Sequence, residues 1–223
     1  MINGSLIGGF GRLGNSISQY VGLKHYCKEH GYQLCVPQNW EGRELFSSIT
    51  EPNIVAELPF VTEGELVGQD NVSLKDSYFQ DSRWVCQWSR SQIKEWLVPR
   101  RTVKGPKIAI HQRRGDYKDL GHYAVVSDKS YVDAFKEFGY SMSNAKIYSD
   151  DIGGDPHQDF LEIMNAEVIF RANSTYSWWA ATLSNAKVYS PVVNDLGGWR
   201  DVPFVEGNHP RLCYMFGDLH IKE

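Results

Sequence analysis

Lys107-Ile108-Ala109-Ile110-His111-Gln112-Arg113-Arg114-Gly115-Asp116-Tyr117 is a short apolar run that leads directly into two arginines, a glycine and an aspartate. A continuous apolar run bounded by polar turn residues suits a strand of a parallel sheet. Ligands of open α/β sheets bind beyond the carboxyl ends of such strands. Two adjacent guanidinium groups there suit a fixed anion, a phosphate above all, because arginine forks match phosphate oxygens bidentately. A surface ion-pair loop is the alternative reading of the same residues.

Downstream, three further short runs repeat the pattern: Lys146 to Tyr148, Glu167 to Phe170 and Lys187 to Tyr189. They end in Ser149-Asp150-Asp151, Arg171-Ala172-Asn173-Ser174 and Ser190-Pro191. Helices fit between them. Ser130 is placed to cap a helix that runs to Phe138 and stops at Gly139. Asp155-Pro156 is an N-cap followed by proline at the first helical position, and Ser174 or Thr175 can cap a third helix. Alternating strand and helix predicts a parallel sheet with right-handed crossovers. The polar loops then gather at one sheet edge, which brings His111, Arg113, Asp150 and Asn173 to Thr175 together. Ser174 to Tyr176, at a helix start, is a second place suited to an anion. Asp150-Asp151 also invites Mg²⁺ or Mn²⁺. A departing diphosphate needs counter-charge, which a carboxylate-held metal or arginines can supply, and the residues leave both open.

Upstream, Gly8-Gly9-Phe10-Gly11-Arg12-Leu13-Gly14-Asn15 precedes an expected helix from Ser16 to about Glu29, stopped at His30-Gly31. Ser5 to Gly9 is a mildly apolar approach to the turn, and Tyr32 to Val36 a second strand. Such a βαβ start places a glycine-rich turn at a helix N-terminus, a position that favours anions. Gly9, Gly11 and Gly14 satisfy G-x-G-x-x-G, so a dinucleotide-binding oxidoreductase is a minor reading. That reading requires an acidic residue near the end of the second strand, and no acid occurs until Glu41. A glycine turn that only packs a helix is the plain alternative. From Glu41 to Leu66, loops and short irregular pieces are expected. Tyr78-Phe79-Gln80 and Trp84-Val85-Cys86 suggest a buried corner, and a helix fits Ser89 to Leu97. Arg100 to Pro106 is the expected boundary between domains spanning 1–103 and 104–223.

The chain's 223 residues suffice for one large or two small domains. A formal net charge of −4 argues against general nucleic-acid affinity. Cys27, Cys35, Cys86 and Cys213 lack metal-ligand spacing and fit buried free thiols in a reducing compartment. No run approaches the apolar length of a membrane span. No charged segment followed by an apolar one opens the chain, so a cytoplasmic protein is expected.

Several of these stretches match one family. His111-Gln112-Arg113-Arg114-Gly115-Asp116-Tyr117 resembles the H-x-R-R-G-D-Y motif of the α1,2-fucosyltransferases. Tyr148-Ser149-Asp150-Asp151 resembles their second motif, and the run from Asn173 to Leu183, with Trp178-Trp179-Ala180 at its centre, resembles their third. Gly11 to Asn15, followed by Gln19-Tyr20, is similar to their N-terminal G-R-L-G-N run. Tyr78-Phe79-Gln80 resembles their G-Y-F-Q segment, with Ser77 in place of the glycine. The matches occur in family order over about residues 8 to 190.

The resemblance implies an α/β chain of two facing Rossmann-like domains (GT-B type), the N-terminal one reduced. It implies an inverting, metal-independent enzyme that moves L-fucose from GDP-fucose to a glycan hydroxyl, a terminal β-galactoside being the expected acceptor. No cofactor is implied beyond that donor. In the roles it carries over, Arg113 holds the β-phosphate and His111 lies by the nucleoside. Asp150 and Asp151 read the guanine edge, Ser174, Thr175 and Tyr176 cradle the diphosphate, and Asn15 reaches the nucleotide. Arg12, Gly14, Arg114 and Asn173 are secondary candidates. The general base is sought among Asp116, Asp119 and His122, with Asp116 first because it belongs to the motif. Arg114 could instead be structural, paired with Asp116, and His122 an ordinary surface histidine. Trp178 and Trp179 fit core better than a sugar platform. Cys213, Tyr214 and Phe216 are expected to pack a C-terminal segment back onto the body. A module that binds a nucleotide or glycan without turnover remains the other functional class.

Overall fold

The structure, a computed structural model, describes residues 1–66, 68–75, 77–80, 88–121, 123–193 and 197–208. The expectations for Trp84-Val85-Cys86, His122, Cys213, Tyr214 and Phe216 lie outside the described residues. The chain divides into two compact units, one formed by Met1–Arg101 and the other beginning at Thr102.

The N-terminal unit is built on a four-stranded parallel sheet of order β2-β1-β4-β3. Its strands are β1 (Ile2–Asn3), β2 (Leu34–Cys35), β3 (Phe60–Val61) and β4 (Val72–Leu74). Helix α1 (Leu13–His30) follows β1 and begins three residues before the expected Ser16. Ile17, Tyr20, Val21 and Leu23 are fully buried, so apolar packing holds the helix. The first strand precedes the expected apolar approach, and Ser5 to Phe10 form turns instead. Strand β1 therefore stops well before the glycines, unlike the tight strand-to-helix turn of a dinucleotide site. A single-turn helix α2 (Gly42–Leu45) and helix α3 (Arg90–Trp96) complete the unit. Phe79 and Gln80 are buried, as a corner requires. Cys27 and Cys35 are free and buried, and burial pushes the Cys27 thiol up to about 12.

The C-terminal unit carries a five-stranded sheet of order β11-β9-β8-β5-β7. Strands β5 (Ile108–Gln112), β7 (Ala145–Ser149), β8 (Val168–Phe170) and β9 (Lys187–Pro191) are parallel, and β11 (Phe204–Glu206) runs antiparallel to β9. Helix α4 (Asp128–Glu137) is capped by Ser127, whose side chain accepts from Ser130 N–H, so the cap lies three residues before the one expected. Asp155 caps α5 (Pro156–Met164) and Ser174 caps α6 (Thr175–Leu183), each accepting a backbone N–H two residues on. Strands β6 (Ala124–Val126) and β10 (Gly198–Arg200) form a separate parallel pair that the sequence pattern did not reveal. Ile108, Ile110, Phe135, Phe170, Tyr189 and Phe204 form the core. The Phe170 and Tyr189 rings stack at 4.6 Å. Side chains of this size contribute roughly 1.5–3 kcal/mol each when buried. The apolar parts of β5, β8 and β9 thus supply the stability that holds their polar ends in place. Trp178 and Trp179 are buried in the same unit, as core residues. Among the described residues no helix is long and apolar enough to cross a membrane.

Candidate functional site

The register of the sheet builds the site. Strand β5 pairs with β7 along its whole length, ending at Gln112 opposite Ser149. The next residue on each strand is therefore Arg113 beside Asp150, and Arg113 Nη1 donates to Asp150 Oδ2 at 2.9 Å. On the other side β5 pairs with β8, ending at Ile110 opposite Phe170. That leaves His111 next to the chain that leads through Arg171 to the start of α6. The His111 and Tyr176 rings lie 5.2 Å apart. The polar ends of three strands thus meet at the carboxyl edge of one sheet.

Asp150 is the organising carboxylate. Its Oδ1 accepts from the backbone N–H of Arg114 at 3.0 Å and of Gly115 at 2.9 Å, while Oδ2 takes Arg113. Burial pushes its carboxyl up, but the Arg114 N–H, the Arg113 guanidinium and the Gly115 N–H outweigh that and hold it below the usual carboxylate value. Asp150 thereby folds the turn after β5 around itself. Gly115 is required at that place because a Cβ there would come within 2.1 Å of Asp150 Oδ2.

The remaining charges are paired in the same loop. Arg113 Nη2 donates to Asp116 Oδ1, and the Arg113 guanidinium lies over the Tyr117 ring, 4.8 Å from its centroid. Arg114 does not pair with Asp116. It donates to Asp128 at the start of α4, its guanidinium 5.2 Å from the centre of the Trp199 ring. Gln112 Nε2 donates to the same Asp128 oxygen at 3.0 Å. Lys118 pairs with Asp151. Asp119 is exposed.

His111 is buried and neutral. Burial first, then the neighbouring Arg113 and Arg171 guanidinium groups, push it down to about 3, against a smaller upward pull from Asp150. Its carbonyl accepts from the Tyr131 hydroxyl at 2.9 Å, and its Nδ1 is buried without a hydrogen-bond partner. Arg171 is fully buried and donates from Nε to Ser190 Oγ at 2.7 Å. Burial pushes it down to about 9, with Tyr131 opposing. Sequence reasoning treated Arg171 only as one of the polar residues after a strand. Its fixed charge beside His111 follows from the β5–β8 register, which sequence alone does not supply.

Asn173 and Ser174 are buried, and Thr175 and Tyr176 are partly exposed at the start of α6. The Tyr176 hydroxyl donates to Pro156 carbonyl at the start of α5, and its ring meets Phe160 edge-on at 5.3 Å. Tyr176 is therefore held between His111 and α5. The remaining candidates, Arg12, Gly14 and Asn15, lie in the N-terminal unit. Arg12 is the N-cap of α1, Gly14 is in its first turn, and Asn15 Oδ1 accepts from Gln80 Nε2 at 2.9 Å. Among the described residues no group of three or more His, Cys, Asp or Glu side chains is arranged to hold a metal ion. Asp150 bonds to the side chain of Arg113 and to the backbone of Arg114 and Gly115.

No family model and no curated protein sequence matches the chain. Its fold is similar to that of NodZ, an α-1,6-fucosyltransferase crystallised and soaked with GDP-fucose. The TM-score is 0.52 at 10 % identity, over 92 % of this chain and 98 % of that one. A second solved structure is TibC, an iron-containing dodecameric glycosyltransferase from enterotoxigenic E. coli H10407. It matches with a TM-score of 0.43 at 11 % identity, over 85 % of this chain and 58 % of that one. The first likeness establishes a mixed α/β fold with parallel sheets, of a kind that a glycosyltransferase adopts.

Proposed function

We propose that the chain is a glycosyltransferase that moves L-fucose from GDP-fucose to a hydroxyl of an acceptor glycan, with inversion at the anomeric carbon. The observation that carries this reading is the meeting of three motifs at one sheet edge. Arg113 bonds to Asp150, and His111 packs against Tyr176. In this reading the diphosphate lies at Arg113 and the start of α6, where a guanidinium and helix N–H groups favour it. The buried neutral His111 borders the nucleoside. A fixed guanidinium stabilises the charge that grows on the β-phosphate as the glycosidic bond breaks, so no metal is needed for that step. The resemblance to the α1,2-fucosyltransferases supports a terminal β-galactoside as acceptor and a GT-B arrangement. It alone supports the roles of Arg12, Gly14 and Asn15. The fold of NodZ supports a nucleotide-sugar donor.

The contacts of Asp150 refine one role. With three bonds to the arginine loop, it serves in this reading as the loop's anchor, which leaves Asp151, paired with Lys118, as the other candidate for the base edge. The second reading is a nucleotide- or glycan-binding module without turnover, and in either reading a bound phosphate meets a loop in which Arg113, Arg114 and Lys118 already face carboxylates.

The two readings separate in an assay of GDP release from GDP-fucose over a panel of galactosides, with and without EDTA. The enzyme reading expects acceptor-dependent release at a rate that EDTA leaves nearly unchanged. GDP binding by calorimetry without release for any acceptor selects the silent module. Loss of release in EDTA, restored by Mn²⁺, returns Asp150 and Asp151 to metal binding.

A further inference from the structure

Arg113 stands between two carboxylates that hold it differently. Asp150 is built into the loop: besides Arg113 it accepts the backbone N–H groups of Arg114 and Gly115, and its side chain is 25 % exposed. Asp116 opens the short 3₁₀ turn Asp116–Lys118, and its side chain is 39 % exposed. One guanidinium facing two carboxylates carries no spare positive charge for an incoming anion. A diphosphate that reaches Arg113 at Nη1 must replace Asp150, and one that reaches it at Nη2 must replace Asp116. The fixed carboxylate cannot leave without unfolding the turn, whereas the one on the exposed turn can.

We infer that Asp116 is a carboxylate that donor binding releases from Arg113. It holds Arg113 until a diphosphate takes its place on the guanidinium, and then accepts the proton of the attacking sugar hydroxyl. This rests on the reading of the Arg113 loop as a diphosphate site. In the step itself, the acceptor oxygen bonds to the anomeric carbon of fucose and its proton passes to an Asp116 carboxylate oxygen. The bond from the anomeric carbon to the phosphate oxygen breaks, and its electron pair leaves on GDP against Arg113. Asp116 is thus ready as a base only after the donor is seated, and one guanidinium couples the two events. Asp150 keeps the guanidinium in position throughout.

The coupling gives the two carboxylates opposite signs. Removing a negative charge near a phosphate site by itself tightens anion binding, so simple electrostatics expects Asp116→Asn and Asp150→Asn to behave alike. The latch and the anchor do not. Calorimetric titration of GDP into the 223-residue chain tests this, with wild type, Asp116→Asn, Asp116→Ala and Asp150→Asn compared. Thermal melts first establish that each variant is folded. Both Asp116 variants are expected to bind GDP about two- to fivefold more tightly, the effect of removing one partly exposed competing pair. The same variants should lose acceptor-dependent turnover. Asp150→Asn is expected to bind GDP more weakly than wild type. Asp116 variants with unchanged or weaker GDP binding would overturn the latch. So would Asp150→Asn tightening as much as Asp116→Asn. Tighter GDP binding with wild-type turnover would remove Asp116 as the base. A wild-type protein and variants that all fail to bind GDP would instead sink the diphosphate reading on which the inference rests.

Discussion

Gly11 in the N-terminal unit and Gly115 in the C-terminal unit both sit where a side chain would strike a neighbour's polar group, but the neighbours differ. A Cβ on Gly11 would come within 2.5 Å of Asn15 Nδ2, a carboxamide at the start of α1 that also accepts from Gln80. Gly11 also has φ of +88°, a conformation that favours glycine. A Cβ on Gly115 would meet Asp150, the carboxylate that gathers the arginine loop. One glycine admits a neutral side chain into a helix entry. The other admits a charge that positions a guanidinium. A glycine-rich stretch in sequence marks a close approach, and only the approaching group shows whether that approach serves packing or electrostatics. The G-x-G-x-x-G match of the N-terminal unit therefore weighs less than the single glycine after Arg113-Arg114.

Substituting the guanidinium itself sharpens this contrast most. Arg113→Ala and Arg113→Lys should lower kcat by roughly 10²–10³-fold, the usual cost of removing a preorganised contact to developing charge. Lysine keeps the charge but loses the planar fork, so it should rescue little. Binding of GDP-fucose should weaken far less than kcat, because the contact strengthens as the bond breaks. Steady-state kinetics with direct donor titration would show the split.

The glycines come next. Gly115→Ala should displace Asp150 and weaken GDP binding by about tenfold, on the scale of one charge-assisted hydrogen bond lost. Gly11→Ala should cost about 1–2 kcal/mol of stability through its left-handed backbone and the Asn15 contact. Melting curves and GDP titrations on both variants would expose the comparison as mistaken if Gly115→Ala left GDP affinity intact.

How far the sequence carried this site depended on range. The apolar runs 107–110, 146–148, 167–170 and 187–189 each correspond to an observed strand, because a strand of a parallel sheet needs little beyond a short apolar run. Asp155 and Ser174 cap helices as expected, because capping is decided within a few residues. The partners of the arginines are different. Arg114 pairs with Asp128, fourteen positions on, and not with Asp116. The shape of the turn at Gly115, fixed by Asp150 from another strand, decides which guanidinium meets which carboxylate. Strands β6 and β10 were missed for the same reason. Three residues each, more than seventy positions apart, they gain their meaning only from pairing. Arg171 likewise acts on His111 through the register of β5 and β8.

The effect that depends on pH concerns His111. Its folded value is depressed from 6.5 to about 3, so between these values the unfolded chain takes up a proton that the folded chain refuses. The contribution of neutral His111 to stability is complete above about pH 6.5 and is lost as pH falls toward 3. His111→Gln should remove this dependence. Unfolding midpoints of wild type and His111→Gln between pH 4 and 7 should differ in slope by up to one proton. Parallel curves would show that His111 titrates alike in both states.

The central claim places the donor's diphosphate on Arg113, and a comparison of GDP with guanosine tests it most directly. Both ligands share the base and ribose, and only GDP has phosphates for the guanidinium to grip. Calorimetry on wild type should show GDP binding more tightly than guanosine, and on Arg113→Ala that advantage should shrink while guanosine binding is unchanged. An advantage for GDP that survives intact in Arg113→Ala would contradict the claim and move the diphosphate away from the end of β5.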